Sequence, residues 1–339
     1  MPYRVLVNEA MLTELVNPFP ELSRVLAYSI PLKRRFRGIT VREGLLLEGP
    51  AGWGEAAPFW DYDPRESAPW LRAGIEAATR PFPRPLRSHI PVNVTIPVTT
   101  PADAARLVRD AAGCTTAKVK VADPRSTLRE DCERVAAVAA ALGPAGRVRV
   151  DANAAWDTDT AIRAITELDA AARAGGLAGL EYVEQPCKKI AELARVRSRV
   201  APKIAADESI RRASDPLAVA RAGAADIAVI KVAPLGGIPR ALDVARECGL
   251  DVVLSSALET SVGIAAGLAA AAAVDRLPYA CGLATVQLLS ADIASEAKLP
   301  RAGMIECGRA AVDTSQLSAA PDLVARWQRR LSEMMEWYS

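Results

Sequence analysis

From about residue 91 the chain alternates short β-branched runs with alanine-rich amphipathic stretches, and this rhythm limits the fold more than any other feature. The runs that predict strands are VNVTIP (92–97), AKVKVA (117–122), RVRVDA (147–152), LEYVEQP (180–186), KIAADES (203–209), DIAVIKVA (226–233), DVVLSSA (251–257) and ACGLAT (280–285). Between them lie segments such as TDTAIRAITELDAAARAG, DPLAVARAG and GIPRALDVARECG, each opening on Thr, Asp or Gly and stopping at glycine, as helices do. Strand–helix alternation of this kind makes a parallel sheet, and eight such units most often close into a barrel. An open doubly wound sheet fits less well, because no G-x-G-x-x-G follows the first strand.

A chain of 339 residues exceeds what one hydrophobic core usually holds. The surplus lies at both ends of the barrel rhythm. Residues 1–90 contain an amphipathic stretch, a hairpin signal in GLLLEGPAGWGEAAP and a helical DPRESAPWLRAGIEAA, which together predict a separate α+β capping domain. Residues 91–285 form the barrel, and 286–339 run through Pro300 and Gly303 to the amphipathic PDLVARWQRRLSEMMEWY. That tail is expected to pack back on the cap.

Composition excludes several function classes. With 42 basic and 40 acidic residues the net charge is +2, so neither a nucleic-acid face nor a membrane-attracted patch is expected. The longest apolar run, SVGIAAGLAAAAAV, falls short of the roughly 20 residues of a spanning helix and reads as a core helix. Glu9 and Glu14 interrupt any basic-then-apolar leader pattern, and six cysteines without C-x-x-C spacing read as reduced thiols. A cytoplasmic enzyme acting on a small molecule is the expectation, with oligomeric state left open. The single histidine, His89, beside a strand start, reads as a structural or surface residue. Acid–base chemistry is then left to lysine and carboxylate.

Those residues are concentrated where barrel chemistry occurs, at the C-terminal strand ends. Strand two carries Lys118 and Lys120, strand three ends at Asp151, strand four at Glu184, strand five at Asp207 and Glu208, and strand six at Lys231. Core-facing ions are costly unless paired, and five consecutive strands of them are hard to explain as structural salt bridges. Asp151, Glu184 and Asp207 make an oxygen-only cluster suited to a hard divalent ion, Mg²⁺ in the usual case, with Mn²⁺ as a substitute. Glu208 points to the opposite face if the strand stays regular. Lys120 and Lys231 lie four strands apart, on opposite walls, so a substrate between them is flanked by two bases. Lys118, two residues from Lys120, shares its face, and its charge is expected to disfavour the ammonium form of Lys120.

Lys-x-Lys on strand two, RVRVDAN on three, EYVEQP on four, AADES on five, VIKVAPLGG on six and GWGEAAP in the cap together resemble the enolase superfamily, in its muconate lactonizing enzyme branch. The resemblance implies a modified TIM-type (β/α)7β barrel with an N-terminal capping domain. It also implies Mg²⁺-assisted removal of a proton next to a carboxylate, giving an enediolate. Within the branch, SSALETSVG on strand seven and GLAT on strand eight are similar to segments of the o-succinylbenzoate synthases, which work in menaquinone biosynthesis. The likeness implies a dicarboxylate substrate, Lys120 as base, Lys231 as cation, and Lys118 with Asn153 orienting a carboxylate. Ser255 and Ser256, near a helix start, are expected to hold the second carboxylate, with Gly282 of GLAT as a further substrate-binding residue; a plain helix cap at Thr260 or Ser261 is compatible with this. No Asp-x-Asp follows strand eight, against a dipeptide epimerase. N-acylamino acid racemase and muconate cycloisomerase stay open, as do a Schiff-base aldolase using Lys231 and a non-catalytic metabolite binder.

Overall fold

The computed structural model describes residues 10–338, so the leader argument falls partly outside it. Strands β1 (Met11–Glu14), β2 (Arg24–Phe36), β3 (Ile39–Gly49) and β4 (Gly52–Ala56) form an antiparallel sheet in that order. Arg37 and Gly38, at φ 49° and 82°, turn β2 into β3, as a two-residue hairpin loop with positive φ requires. Helix α1 (Pro64–Thr79) starts at Asp63, whose side chain accepts the Glu66 N–H, and covers the sheet. Sheet and helix meet backbone to backbone at Gly54, where a Cβ would lie 1.9 Å from the Gly74 carbonyl oxygen.

After β5 (His89–Pro91), the parallel strands β6 (Val94–Ile96), β7 (Thr116–Lys120), β8 (Arg147–Asp151), β9 (Leu180–Glu184), β10 (Lys203–Ala206), β11 (Ile227–Ile230) and β12 (Asp251–Leu254) lie side by side in chain order. The outer helices are α2 (Pro101–Arg109), α3 (Leu128–Leu142), α4 (Thr158–Ala174), α5 (Ile190–Arg197), α6 (Glu208–Arg211), α7 (Ala218–Arg221), α8 (Val232–Leu235), α9 (Ile238–Glu247) and α10 (Ser261–Ala273). The DPLAVARAG helix shrinks to the single turn α7.

The eighth strand expected at 280–285 is not a ladder. Cys281 bridges to Val92 and Gly282 to Ser255, and the chain turns into a 3₁₀ helix at Thr285. Two residues therefore close the ring, through Cys281 N–H to the Pro91 carbonyl and Gly282 N–H to the Leu254 carbonyl. Helix α10 is apolar on nearly all sides, with Ile264, Leu268 and Ala270–Ala272 buried. No helix among the described residues is long and apolar enough to cross a membrane.

After β13 (Met304–Glu306), which pairs with β5, the chain ends in α11 (Pro321–Met335). Leu323, Trp327, Leu331 and Met334 join Phe19, Val25 and Leu45 of the cap in one buried cluster. Trp327 is fully buried. Truncating such a ring leaves a cavity as well as losing its transfer energy, so Trp327→Ala is expected to lower stability by about 3–5 kcal/mol in urea denaturation. A loss below about 1 kcal/mol would show that the helix is dispensable to the cap core.

Candidate active site

The alternation of β7 sends Ala117 and Val119 into the layer of core side chains outside the barrel, while Lys118 and Lys120 face inward. Register then aligns the charges. Lys120 stands opposite Asp151, and Asp151 opposite Glu184. Asp207 follows β10 and Lys231 follows β11, each at the start of a helical turn.

Every carboxylate meets an ammonium. Lys118 Nζ donates to both oxygens of Glu184, at 3.2 and 3.1 Å, and lies 3.6 Å from Asp151. Lys120 Nζ donates to Asp151 Oδ2 and to Asn153 Oδ1 at 2.8 Å. Lys231 Nζ donates to Asp207 Oδ2 at 2.5 Å, while Arg211 Nε donates to Asp207 Oδ1 at 3.0 Å. The two like charges on β7 are thus both met by carboxylates, Lys118 by Glu184 and Asp151 and Lys120 by Asp151.

Electrostatics follow from this pairing. Burial pushes the Asp151 carboxyl up, but Lys120 and Lys118 outweigh it and hold it below the ordinary range. Asp207 is likewise held down, with Arg211 and Lys231 overcoming burial. Glu184 is pushed up to about 7 by burial and by the charge of Asp151. Burial disfavours the Lys118 ammonium, yet Glu184 and Asp151 raise its pKa. For Lys231 burial prevails and its pKa is lowered, with Arg211 adding to the fall.

Asp151, Glu184 and Asp207 are at most 1% exposed, sit on neighbouring strand ends and repel one another, which is the chemistry of a hard-cation donor set. Their donor types fit a divalent ion. Among the described residues no three metal-ligating side chains already converge as a finished cage, since the carboxylates are turned to their lysines.

Glu208 departs from the strand argument. The strand ends at Ala206, so alternation no longer applies, and Glu208 Oε1 accepts from Asn153 Nδ2 at 3.2 Å and from Arg211 at 2.6 Å. It joins the site through Asn153, and a chain of contacts runs Glu208–Asn153–Lys120–Asp151. Asn153 adopts φ 46°, a left-handed position that asparagine tolerates. Arg211 also donates to the Tyr62 hydroxyl of the cap. Sequence reading passed over Arg211, although Arg four residues after Asp207 on a helical turn is a detectable signal.

Ser255, Ser256 and Gly282 line the same cavity as the lysines, with Phe36 and Arg37 of the cap hairpin above. Ser256 Oγ lies 2.6 Å from Thr285 Oγ1. A Cβ at Gly282 would fall 2.5 Å from Ser255 Oγ, so a larger residue there would force the Ser255 hydroxyl to turn. The helix start expected to help bind an anion is not open, however. Thr260 caps α10, and the free N–H groups there are taken by Glu55 and Asp292. His89 is exposed on β5, away from this cavity.

Fold and site together define a capped-barrel enzyme of the enolase type. The family model "Enolase C-terminal domain-like" matches residues 101–312, and "Enolase N-terminal domain-like" matches 27–78. The chain is 55% identical over 306 residues to the o-succinylbenzoate synthase of Thermobifida fusca (strain YX), covering 90% of this chain and 94% of that protein. It is 49% identical over 313 residues to that of Mycobacterium ulcerans (strain Agy99), covering 91% and 93%. The dipeptide epimerase from Enterococcus faecalis V583, solved with Mg and the dipeptide L-Leu-L-Tyr, shares the fold at TM-score 0.67 and 22% identity, over 85% of this chain and 97% of that one. The chain belongs to the o-succinylbenzoate synthase family of the enolase superfamily.

Proposed function

We propose that the protein dehydrates 2-succinyl-6-hydroxy-2,4-cyclohexadiene-1-carboxylate to o-succinylbenzoate, in menaquinone biosynthesis and in the cytoplasm. Six unpaired cysteines suit a reducing compartment. The observation that carries the reading is the placement of Lys120 and Lys231 on opposite walls of one cavity, with Asp151 and Asp207 between them, in a chain 55% identical to a synthase of that name.

The reaction removes the ring proton beside the carboxylate and the ring hydroxyl, together one water, so it needs no redox partner. Lys120, as the neutral amine, takes the proton; the same group, now an ammonium, returns it to the departing hydroxyl. Asn153 and Asp151 hold its Nζ in place. Lys231 places a fixed cation against the planar enediolate, where preorganised charge contributes most. Lys118 orients the ring carboxylate, and Ser255, Ser256 and Gly282 form the wall for the succinyl end. Mg²⁺, held by Asp151, Glu184 and Asp207 and replaceable by Mn²⁺, would supply positive charge to a carboxylate that becomes a dianion as the proton leaves.

The deciding assay follows aromatic product formation by purified protein. Turnover is expected with Mg²⁺, is lost on chelation, and returns with Mg²⁺ or Mn²⁺. Unchanged rates in chelator would remove the metal from the mechanism. Efficient racemisation of N-acylamino acids with the cyclohexadiene untouched would replace the dehydratase reading by a two-base one, which the same pair of lysines allows.

A further inference from the structure

Two buried residues of the cap reach across to the loop that follows β12. The Glu55 carboxylate, on β4, accepts the Thr260 N–H at 3.1 Å, the Thr260 hydroxyl at 2.5 Å, the Gly263 N–H at 2.8 Å and the Tyr28 hydroxyl at 2.6 Å. Arg42, on β3, donates from Nε to the Leu258 carbonyl at 2.9 Å and from a terminal nitrogen to the Ala257 carbonyl at 3.3 Å. Its guanidinium stacks on Phe59, 4.3 Å from the ring centre, which fixes its direction. Glu55 and Arg42 are 5% and 2% exposed.

The segment between these anchors forms a wall of the reacting cavity. Ser255, Ser256, Ala257 and Leu258 all line it. Leu258 sits at φ 68°, a conformation that a branched side chain adopts only when its surroundings impose it. Arg42 binds the carbonyl of that very residue. Apolar contacts alone give cap and barrel no fixed register, whereas directional bonds from a buried carboxylate and a buried guanidinium hold this loop at defined atoms. All of the Glu55 hydrogen bonds but the one from Tyr28, and two of those from Arg42, end on this loop and the helix start behind it.

We propose that Glu55 and Arg42 are positioning residues for the substrate's second carboxylate, holding residues 255–260 so that the Ser255 and Ser256 wall receives the succinyl end. Choice of the tail is thereby set by a cap-to-barrel clamp as well as by the groups that touch it. The identity of the tail rests on the dehydratase reading above; the clamp itself does not.

The test compares Glu55→Gln and Arg42→Lys with wild type. Gln turns an amide donor toward N–H donors, and Lys keeps the charge but loses the fork. In each variant KM for the cyclohexadiene is expected to rise about tenfold, the weight of one hydrogen bond to a charged group, with kcat changed less than about threefold. Affinity for o-succinylbenzoate should fall by a like factor while affinity for benzoate, which lacks the tail, stays the same. Hydrogen exchange at the Thr260 and Gly263 amides should quicken in Glu55→Gln, with the β3–β4 amides unchanged. Unaltered exchange in that segment, or equal loss of affinity for both ligands, overturns the proposal. So does a lower kcat and melting temperature with KM unchanged, the sign of a merely structural role. Should wild type fail to dehydrate the cyclohexadiene, the functional reading falls, and the exchange rates and the paired ligands still judge the clamp. Arg42→Lys keeps the test open if Glu55→Gln does not fold.

Discussion

Lys120→Ala is expected to lose about 10²- to 10⁴-fold or more in kcat while still binding o-succinylbenzoate, because positioned acid–base groups contribute that much and the proposed mechanism uses this one twice. Among the described residues no other amine of the cavity is placed to take over. Lys118 is committed to Glu184, and Lys231 stands across the cavity in an ion pair with Asp207. The same logic separates the two lysines by chemistry. Lys120→Arg should be as inactive as the alanine variant, since a guanidinium does not give up its proton near neutral pH. Lys231→Arg should keep measurable activity, because a fixed cation is the role proposed for this wall. Steady-state kinetics with calorimetric titration of product gives both quantities. An active Lys120→Ala would refute the base, and equal collapse of both arginine variants would favour bases on both faces.

Asp207→Ala, measured in chelator, is expected to cost about 3–5 kcal/mol of stability at pH 7, the usual result of removing one partner from a buried ion pair. The Lys231 ammonium and the Arg211 guanidinium, 6% and 7% exposed, share this carboxylate; without it Lys231 loses its ion pair and Arg211 keeps Glu208. Activity should vanish with it. The pH dependence has a definite sign. Burial opposes ionisation of Asp207, but Arg211 and Lys231 prevail and depress its pKa in the folded protein. Its contribution is therefore present above the unfolded carboxylate value of about 3.9 and fades as pH falls below it. The gap between wild type and Asp207→Ala in urea denaturation should accordingly narrow on acidification. A deficit below about 1 kcal/mol at pH 7 would mean that the two cations find other partners.

Local periodicity determined the part of this protein that depends on neighbours in sequence. Strand alternation put Lys118 and Lys120 on one face, and strand–helix order put Asp151, Glu184, Asp207 and Lys231 around one barrel mouth, because a side chain's direction along a strand is set by its own backbone. Only the tertiary structure decided what those groups touch. Glu208 enters the site because β10 stops at Ala206 and a helical turn redirects it. Lys118 meets Glu184 across 66 residues of chain, so a like-charge pair becomes two ion pairs. The start of α10, open by its sequence, is filled by Glu55 from 205 residues away. The eighth strand is cut to two bridging residues, contacts of Cys281 with Val92 and of Gly282 with Ser255, before the chain turns into a 3₁₀ helix. The contacts among these residues depend on where segments distant in sequence lie in the folded barrel and, for Glu55, on how the cap is seated, and no residue's own neighbours in sequence carry that information.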